Sequence, residues 1–403
     1  MSGVVIDPRL QPSRQAPRRA IEFHWSDPRF RNIVWQVLVI SAVVLLLAYF
    51  VSNEQRNYAK RHIASGFGYL SGNTTIRVGE SPIELDPSGT TYGLLLVVGI
   101  LNTLKVAVVG VILATILGTT VGIARLSSNW LTSRVAAVFV EVVRDIPVLL
   151  QLLFWYILLS QLPLVRRALH PVEGVFLSNR GLTLPVLEWV QADWGVLGAF
   201  LAGLLGTVLW SGVVKRRQEA TGVRPPVWPV ALGMLIALPG LVWAALGMPF
   251  TLELPVLRGL NFQGGITLTP EYVALTVGLV IYTSSYIAEI VRSGILSVPS
   301  GQSEAAAALG IRPAVVLRQV VLPQALRVII PPMTSQYLNL TKNSSLAVAI
   351  GYSDVVSISN TSMNQSGQSV EGTALIMAVF LTISLTISLF MNWYNARIAL
   401  VER

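Results

Sequence analysis

Apolar residues in this chain gather in long runs separated by short polar stretches rich in Gly, Pro, Asn and Arg. The first run, IVWQVLVISAVVLLLAYFV at 33–51, is apolar on every face of a helix, and about 20 such residues cross the roughly 30 Å of bilayer hydrocarbon. The same pattern predicts seven more spans, at 103–123, 134–162, 196–214, 230–246, 272–291, 326–342 and 372–393. GLLLVVGIL at 93–101 would make the second span too long, so it is expected as a separate interfacial helix. Lys105 then lies near a membrane surface, where its stem can snorkel. The expected fold class is all-α: a polytopic membrane protein of about eight transmembrane helices.

Composition supports this, with 53% hydrophobic and 12% charged residues. The formal charge of +9 raises nucleic acid as a partner, but no basic stripe with interleaved aromatics occurs, and the cations fall mainly between apolar runs. They read as topology signals instead. Arg9, Arg14, Arg18, Arg19, Arg29 and Arg31 precede a first run that is too long for a signal-peptide core, so an uncleaved span with a cytoplasmic N-terminus is expected. On that orientation eighteen of the 29 Lys and Arg are cytoplasmic and eight external, with Lys105, Arg144 and Lys342 at membrane depth and both termini inside. The external segments 52–92, 163–195 and 247–271 show little patterned hydrophobicity, and none reads as an independent domain. With no Cys and only His24, His62 and His170, neither thiol chemistry nor a metal site is expected. No GxxxxGK[ST] occurs, and SGFGYLSG at 65–72 lacks the setting of a dinucleotide loop, so no ATP or other cofactor is expected on this chain itself.

Between two late spans lies EAAAALGIRPAVVLRQVVLP, 304–323. Ser303 can cap a helix beginning at Glu304, the four alanines favour it, and Gly310 can stop it in the left-handed conformation. Pro313 suits the first turn of a second helix, and Pro323 is expected to turn the chain into the next span. The local signals give helix, turn, helix along the membrane surface: either an ordinary amphipathic loop or a face that another backbone approaches closely. The EAA triplet, Gly310 and the closing Val320, Val321, Leu322, Pro323 resemble the EAA loop of permease subunits of bacterial ABC importers, with Val320 in place of the usual isoleucine. That resemblance implies a type I importer fold and a coupling helix docked on a separate cytoplasmic ATPase. Its coupling residues would be Glu304, Ala305, Ala306, Gly310, Leu322 and Pro323.

FVEVVRDIPVLLQLLFWY at 139–156 places Glu141, Arg144, Asp145 and Gln151 on an apolar helix. Glu141 and Arg144, three apart, can pair on one face and offset an intramembrane charge cost of about 2.5 kcal/mol or more each, with Pro147 kinking the helix just beyond. The segment resembles the E-x-x-R-x-x-P-x-x-x-Q signature of the polar amino acid branch of these permeases, and the pair is read as a structural tie. PEYVAL, YIAEIVRSGI and GQ in 270–302 resemble the same branch; Glu289 and Arg292 repeat the spacing there. Tyr282, Ser284, Ser285 and Tyr286 add hydroxyls at membrane depth, for helix packing or for a substrate path. In IIPPMTSQYLNLTKNSSLAVAIG at 329–351, Pro331 and Pro332 are expected to break the helix and open a pathway lining. Thr341, Lys342 and Asn343 there join Tyr282, Ser285 and Tyr286 as candidate pathway residues. Lys342 either holds a substrate carboxylate or snorkels to the outer surface.

The resemblance covers about 93–160 and 262–400, a five-span core. The organisation it implies is a cytoplasmic tail at 1–32, an extra first helix at 33–51, core parts at 93–162 and 262–398 with the EAA loop at 300–323, and an insertion with two spans at 163–261. This layout resembles the larger permease subunit of general L-amino acid importers of the bacterial inner membrane. Implied partners are two copies of an ATP-binding subunit, which uses ATP and Mg, a second permease of different sequence, a periplasmic amino acid binding protein and the lipid bilayer, with no nucleic acid. No catalytic or metal-ligating residue is expected. The alternative, an ion-gradient-driven secondary amino acid transporter, predicts paired intramembrane carboxylates and internal symmetry, and the sequence displays neither.

Overall fold

The computed structural model describes residues 25, 28–61, 66–86, 89–188, 193–222, 225–247, 251–259 and 261–398. Most of the expected tail, with Arg9, Arg14, Arg18 and Arg19, lies outside the described residues, as do His24, His62, Arg224 and Arg403. The chain divides into two units, Met1–Phe67 and Gly68–Arg403. The first contains α1 (Pro28–Arg61), whose apolar side chains are exposed on every face, the pattern of a helix solvated by lipid.

The second unit contains α2 (Tyr92–Ala124), α3 (Trp130–Asp145), α4 (Val148–Ser160), α5 (Asp193–Thr221), α6 (Trp228–Leu232), α7 (Leu238–Ala245), α8 (Pro270–Leu296), α9 (Ser300–Ala308), α10 (Pro313–Val316), α11 (Leu322–Asn343), α12 (Val355–Ser366) and α13 (Ser369–Ile398). Among the described residues seven helices are long and apolar enough to cross a membrane, and α3 with α4 is an eighth candidate if the two are one span. That pair is bent by 102° at Pro147, where a kink within a span over 134–162 was expected. The cause is local: Ile146 precedes Pro147, is kept out of the helical region and adopts φ −92, ψ 124.

Two expectations fail for identifiable reasons. The stretch 93–101 is no separate interfacial helix but the start of a 33-residue α2, whose first turn is capped by Thr91 accepting from the Leu94 N–H. Polar Asn102 does not interrupt it, because its amide donates to the carbonyls of Glu80 and Ser353, both at 2.9 Å. Pro331 and Pro332 likewise stay within an unbroken α11, their rings on its exposed face where they displace no packed neighbour.

The core is built around α8, which packs against α2, α3, α4 and α11. Gly118 and Gly122 let α2 lie directly on α8: a Cβ would meet Ile287 at 2.6 Å from the first and the Ala288 carbonyl oxygen at 2.7 Å from the second. Small residues are what allow membrane helices to close to such distances.

The insertion behaves differently. α5 packs mainly on α7 and on the π-helical turn Gly233–Ala237 that joins α6 to α7. The flanking segments, expected to be featureless, form short strands: β1 (Leu169–Val172), β2 (Val175–Ser178), β3 (Gly181–Leu184), β4 (Val186–Glu188), β5 (Thr251–Glu253), β6 (Val256–Arg258), β7 (Asn261–Gln263) and β8 (Ile266–Leu268). All pair antiparallel, and β3 with β8 closes a four-stranded sheet across the inserted hairpin, Leu182 opposite Leu268. Strands of three or four residues are too short to show a period in sequence.

Candidate functional site: a projecting helix and the charged ties behind it

α9 starts at Ser300 with Pro299 as N-cap, so Ser303 sits inside the helix and does not cap it. Its far end is a Schellman stop. The Gly310 N–H donates to Ala307 O at 2.9 Å and the Ile311 N–H to Ala306 O at 3.1 Å, with Gly310 at φ 70. This is the role expected of Gly310. Ala306 is buried, while Glu304, Ala305, Ala307 and Ala308 are exposed and Leu309 is 79% exposed. The alanine face and an apolar knob therefore point away from the chain.

Pro323 does not turn the chain. α10 runs through a π-helical turn, Leu317–Val321, directly into α11, with Pro323 in the first turn of the latter. A π turn widens the helix to admit the proline ring and shifts the backbone hydrogen bonds past the donor that proline lacks. Leu322 is exposed and Pro323 half-buried, so both belong to the root of a span. Gln324 ties that root to α9 by donating to the Gln302 side chain and to Val320 O, the latter at 2.9 Å.

Behind α9 the charges are arranged otherwise than their spacing suggested. Glu289 and Arg292 pair as expected, Nη2 to Oε1 at 2.5 Å, and Arg125 at the end of α2 joins the same carboxylate. Arg125 was missed because its partner is 164 residues away in sequence. The expected Glu141 to Arg144 pair is absent among the ion pairs of the described residues. Instead, the Arg144 guanidinium lies 4.9 Å over the Tyr286 ring, a cation–π contact that spares Glu141. Arg125, Glu141, Arg144, Asp145, Tyr286 and Glu289 line a pocket of about 350 Å³. Gln151, 7% exposed, spans the α3 to α4 bend by donating to Val143 O at 2.8 Å and Ile146 O at 3.0 Å, carbonyls that the break leaves unpaired.

The candidate pathway residues divide. Tyr282 and Tyr286 are half-buried near the middle of α8, with their hydroxyls 3.2 Å apart. Ser285 and Thr341 are fully buried and donate back to Tyr282 O and Tyr337 O, at 2.7 and 2.9 Å, so in this state they serve packing. Lys342 is exposed in the last turn of α11, and Asn343 beside it is half-buried. With Pro331, Ser335 and Asn339, Lys342 completes an exposed, mostly polar stripe at helical spacing along α11.

A family model described as the binding-protein-dependent transport system inner membrane component matches residues 229–400. The chain is 47% identical over 380 residues to the general L-amino acid transport system permease protein AapQ of Rhizobium johnstonii, with 94% of each chain covered. It belongs to this family of inner membrane permeases. The permease family supplies two more full-length relatives. One is a putative amino-acid ABC transporter permease protein, YhdX of Escherichia coli K12, 46% identical over 94% of this chain and 97% of that one. The other is the glutamate/glutamine/aspartate/asparagine transport system permease protein BztB of Rhodobacter capsulatus, 38% identical over 94% and 96%. Because these matches cover 94% of this chain, residues 163–261 are matched together with the flanking helices. They accord with an ABC permease and lend nothing to the secondary-transporter alternative.

Proposed function

We propose that this chain is the larger permease subunit of an ATP-driven importer of L-amino acids, with α9 on the cytoplasmic side and both termini there. The observation that carries the coupling role is the end of α9, where Leu309, 79% exposed, is fixed by a Schellman stop behind an exposed alanine face. An apolar knob on a rigid helix end fits a groove on another protein. α9 connects to α8 through only 297–299 and is tied to α11 by the Gln302 to Gln324 contact, so a push on α9 reaches both helices.

In this mechanism a periplasmic binding protein delivers the amino acid, and two ATPase subunits, which hold ATP and Mg, close and move α9. The exposed α11 stripe and the Tyr282, Tyr286 pair line the path, facing a second permease of different sequence. Recognition of the ammonium and carboxylate common to all amino acids leaves the side chain to loose contacts and gives a broad range. The test is uptake of labelled amino acids by the four-component complex in liposomes, with and without internal ATP. Accumulation of several unlike amino acids only with ATP is expected; accumulation driven by an ion gradient without ATP would sink the proposal.

A further inference from the structure

Lys105, expected to snorkel, is instead part of a closure at the end of the helices remote from α9. The segment 72–91 leaves and returns at one place: Thr74 N–H donates to Thr90 O at 2.9 Å, and Tyr92 N–H to Gly72 O at 3.1 Å. Between these points residues 73–86 form a strap, with Ile76, Val78, Ile83 and Leu85 packed over Leu95, Val98 and Ile358. From the middle of the strap Glu80 reaches down, its side chain 13% exposed. The carboxylate pairs with the Lys105 ammonium of α2 and accepts from Thr269 Oγ1 at 2.9 Å, the residue that caps α8. Its carbonyl accepts from Asn102, whose amide also reaches Ser353 O just before α12. The Lys105 ammonium lies 4.2 Å over the Tyr272 ring as well.

We infer that Glu80 is the latch of an outer gate: a positioning residue that holds the strap closed over α2, α8 and α12 and releases it to admit the solute. This rests on the importer reading above for what passes. Three features make the strap a gate. Its base is hydrogen-bonded independently of Glu80, so release of the latch leaves a hinge. A part-buried ion pair contributes little net stability over apolar packing, yet it fixes one arrangement over another, which suits a reversible tie. Finally, the carboxylate grips the first residue before α8, while the opposite end of α8 leads into α9, so one rigid helix joins the latch to the coupling face.

The absence of Cys makes a direct test possible. Val98→Cys places a thiol under the strap at a residue that is 0% exposed, and Ala325→Cys, also 0% exposed, reports from the α9 end. Maleimide labelling is followed in the complete complex in nanodiscs. Glu80→Ala should speed labelling at Val98→Cys by about tenfold or more, as expected for local opening, and leave Ala325→Cys within about threefold. The exchange Glu80→Lys with Lys105→Glu should return Val98→Cys to within about threefold of the unaltered rate, since the pair is rebuilt with its signs reversed. Unchanged labelling at Val98→Cys, an equal rise at Ala325→Cys, or an exchange that labels as fast as Glu80→Ala would each overturn the latch. Failure of the unaltered complex to take up amino acids with ATP would count against the importer reading alone, because labelling reads the strap directly.

Discussion

The α2 and α8 pair and the hairpin of α5 with the continuous helical run from α6 through α7 (Trp228–Ala245) are both pairs of apolar membrane-length helices, yet they are put together in different ways. In α8, 61% of the most apolar window is buried, against 11% in α5. α8 meets α2 through glycines and is tied to it by charge at one end, Arg125 with Glu289, while at the other end the strap residue Glu80 bridges them, pairing with Lys105 of α2 and accepting from Thr269 just before α8. α5 has close contact with its own partner, a Cβ at Gly203 falling 1.9 Å from Met234 O, but Gly198 and Gly212 on the same helix face open space. Hydropathy alone ranks the two pairs together. What separates them is whether small and charged residues meet a counterpart.

Single substitutions test this contrast. The largest effect is expected from Gly122→Leu, which drives a side chain into the Ala288 backbone and costs about 3 kcal/mol or more, read as loss of monodisperse, folded complex on size exclusion. Glu289→Gln comes next. It leaves Arg125 and Arg292 without their carboxylate, and because these side chains are 15–30% exposed the cost is about 1–2 kcal/mol, seen as a lower Tm in detergent. Gln151→Leu should lower Tm by an amount equivalent to about 1–2 kcal/mol, since two carbonyls at the bend lose their donor; no change would mean the bend holds without it.

A pH-dependent effect is expected at Asp354, which caps α12 by accepting from the Ser357 N–H at 2.8 Å. Burial pushes its carboxyl up to about 7, against the opposing backbone hydrogen bonds from Ser357 and Val356, and its Oδ2 has no hydrogen-bond partner among the described residues. A raised carboxyl pKa means the folded state holds the proton more tightly, so its contribution is present at low pH and lost as pH rises through about 7. Asp354→Asn keeps the cap and removes the titration; its Tm should fall less than that of the unaltered protein between about pH 5 and 7.5. Equal slopes would remove Asp354 as the cause. The smallest effect is expected from Gly198→Leu in the hairpin, within about 0.5 kcal/mol, the contrast to Gly122→Leu.

Long elements were legible in sequence because a membrane helix satisfies its own backbone, so twenty apolar residues suffice to announce it. The stop at Gly310 was legible too, since a left-handed residue after a run of alanines has few alternatives. Proline was read too strongly: at 147 it bends the chain as expected, while 331, 332 and 323 remain in helices, where exposure or a π turn accommodates the ring. Ion pairs were legible only at local spacing. Glu289 with Arg292 was found; Arg125 with Glu289 was not, and Glu141 with Arg144 was expected where Tyr286 took the arginine.

The linear pattern was enough for the all-α, multi-span membrane class and for the EAA motif whose spacing resembles that of permeases. These follow from periodicity and backbone conformation, which are properties of neighbours in the chain. Tertiary structure alone decided that Lys105 closes on Glu80, that Gln151 spans a break, that β3 and β8 join across the hairpin, and that Leu309 is presented outward. Each of these depends on which distant residue fills a vacancy left by a charge, a carbonyl or a strand edge, and a linear pattern holds no record of that choice.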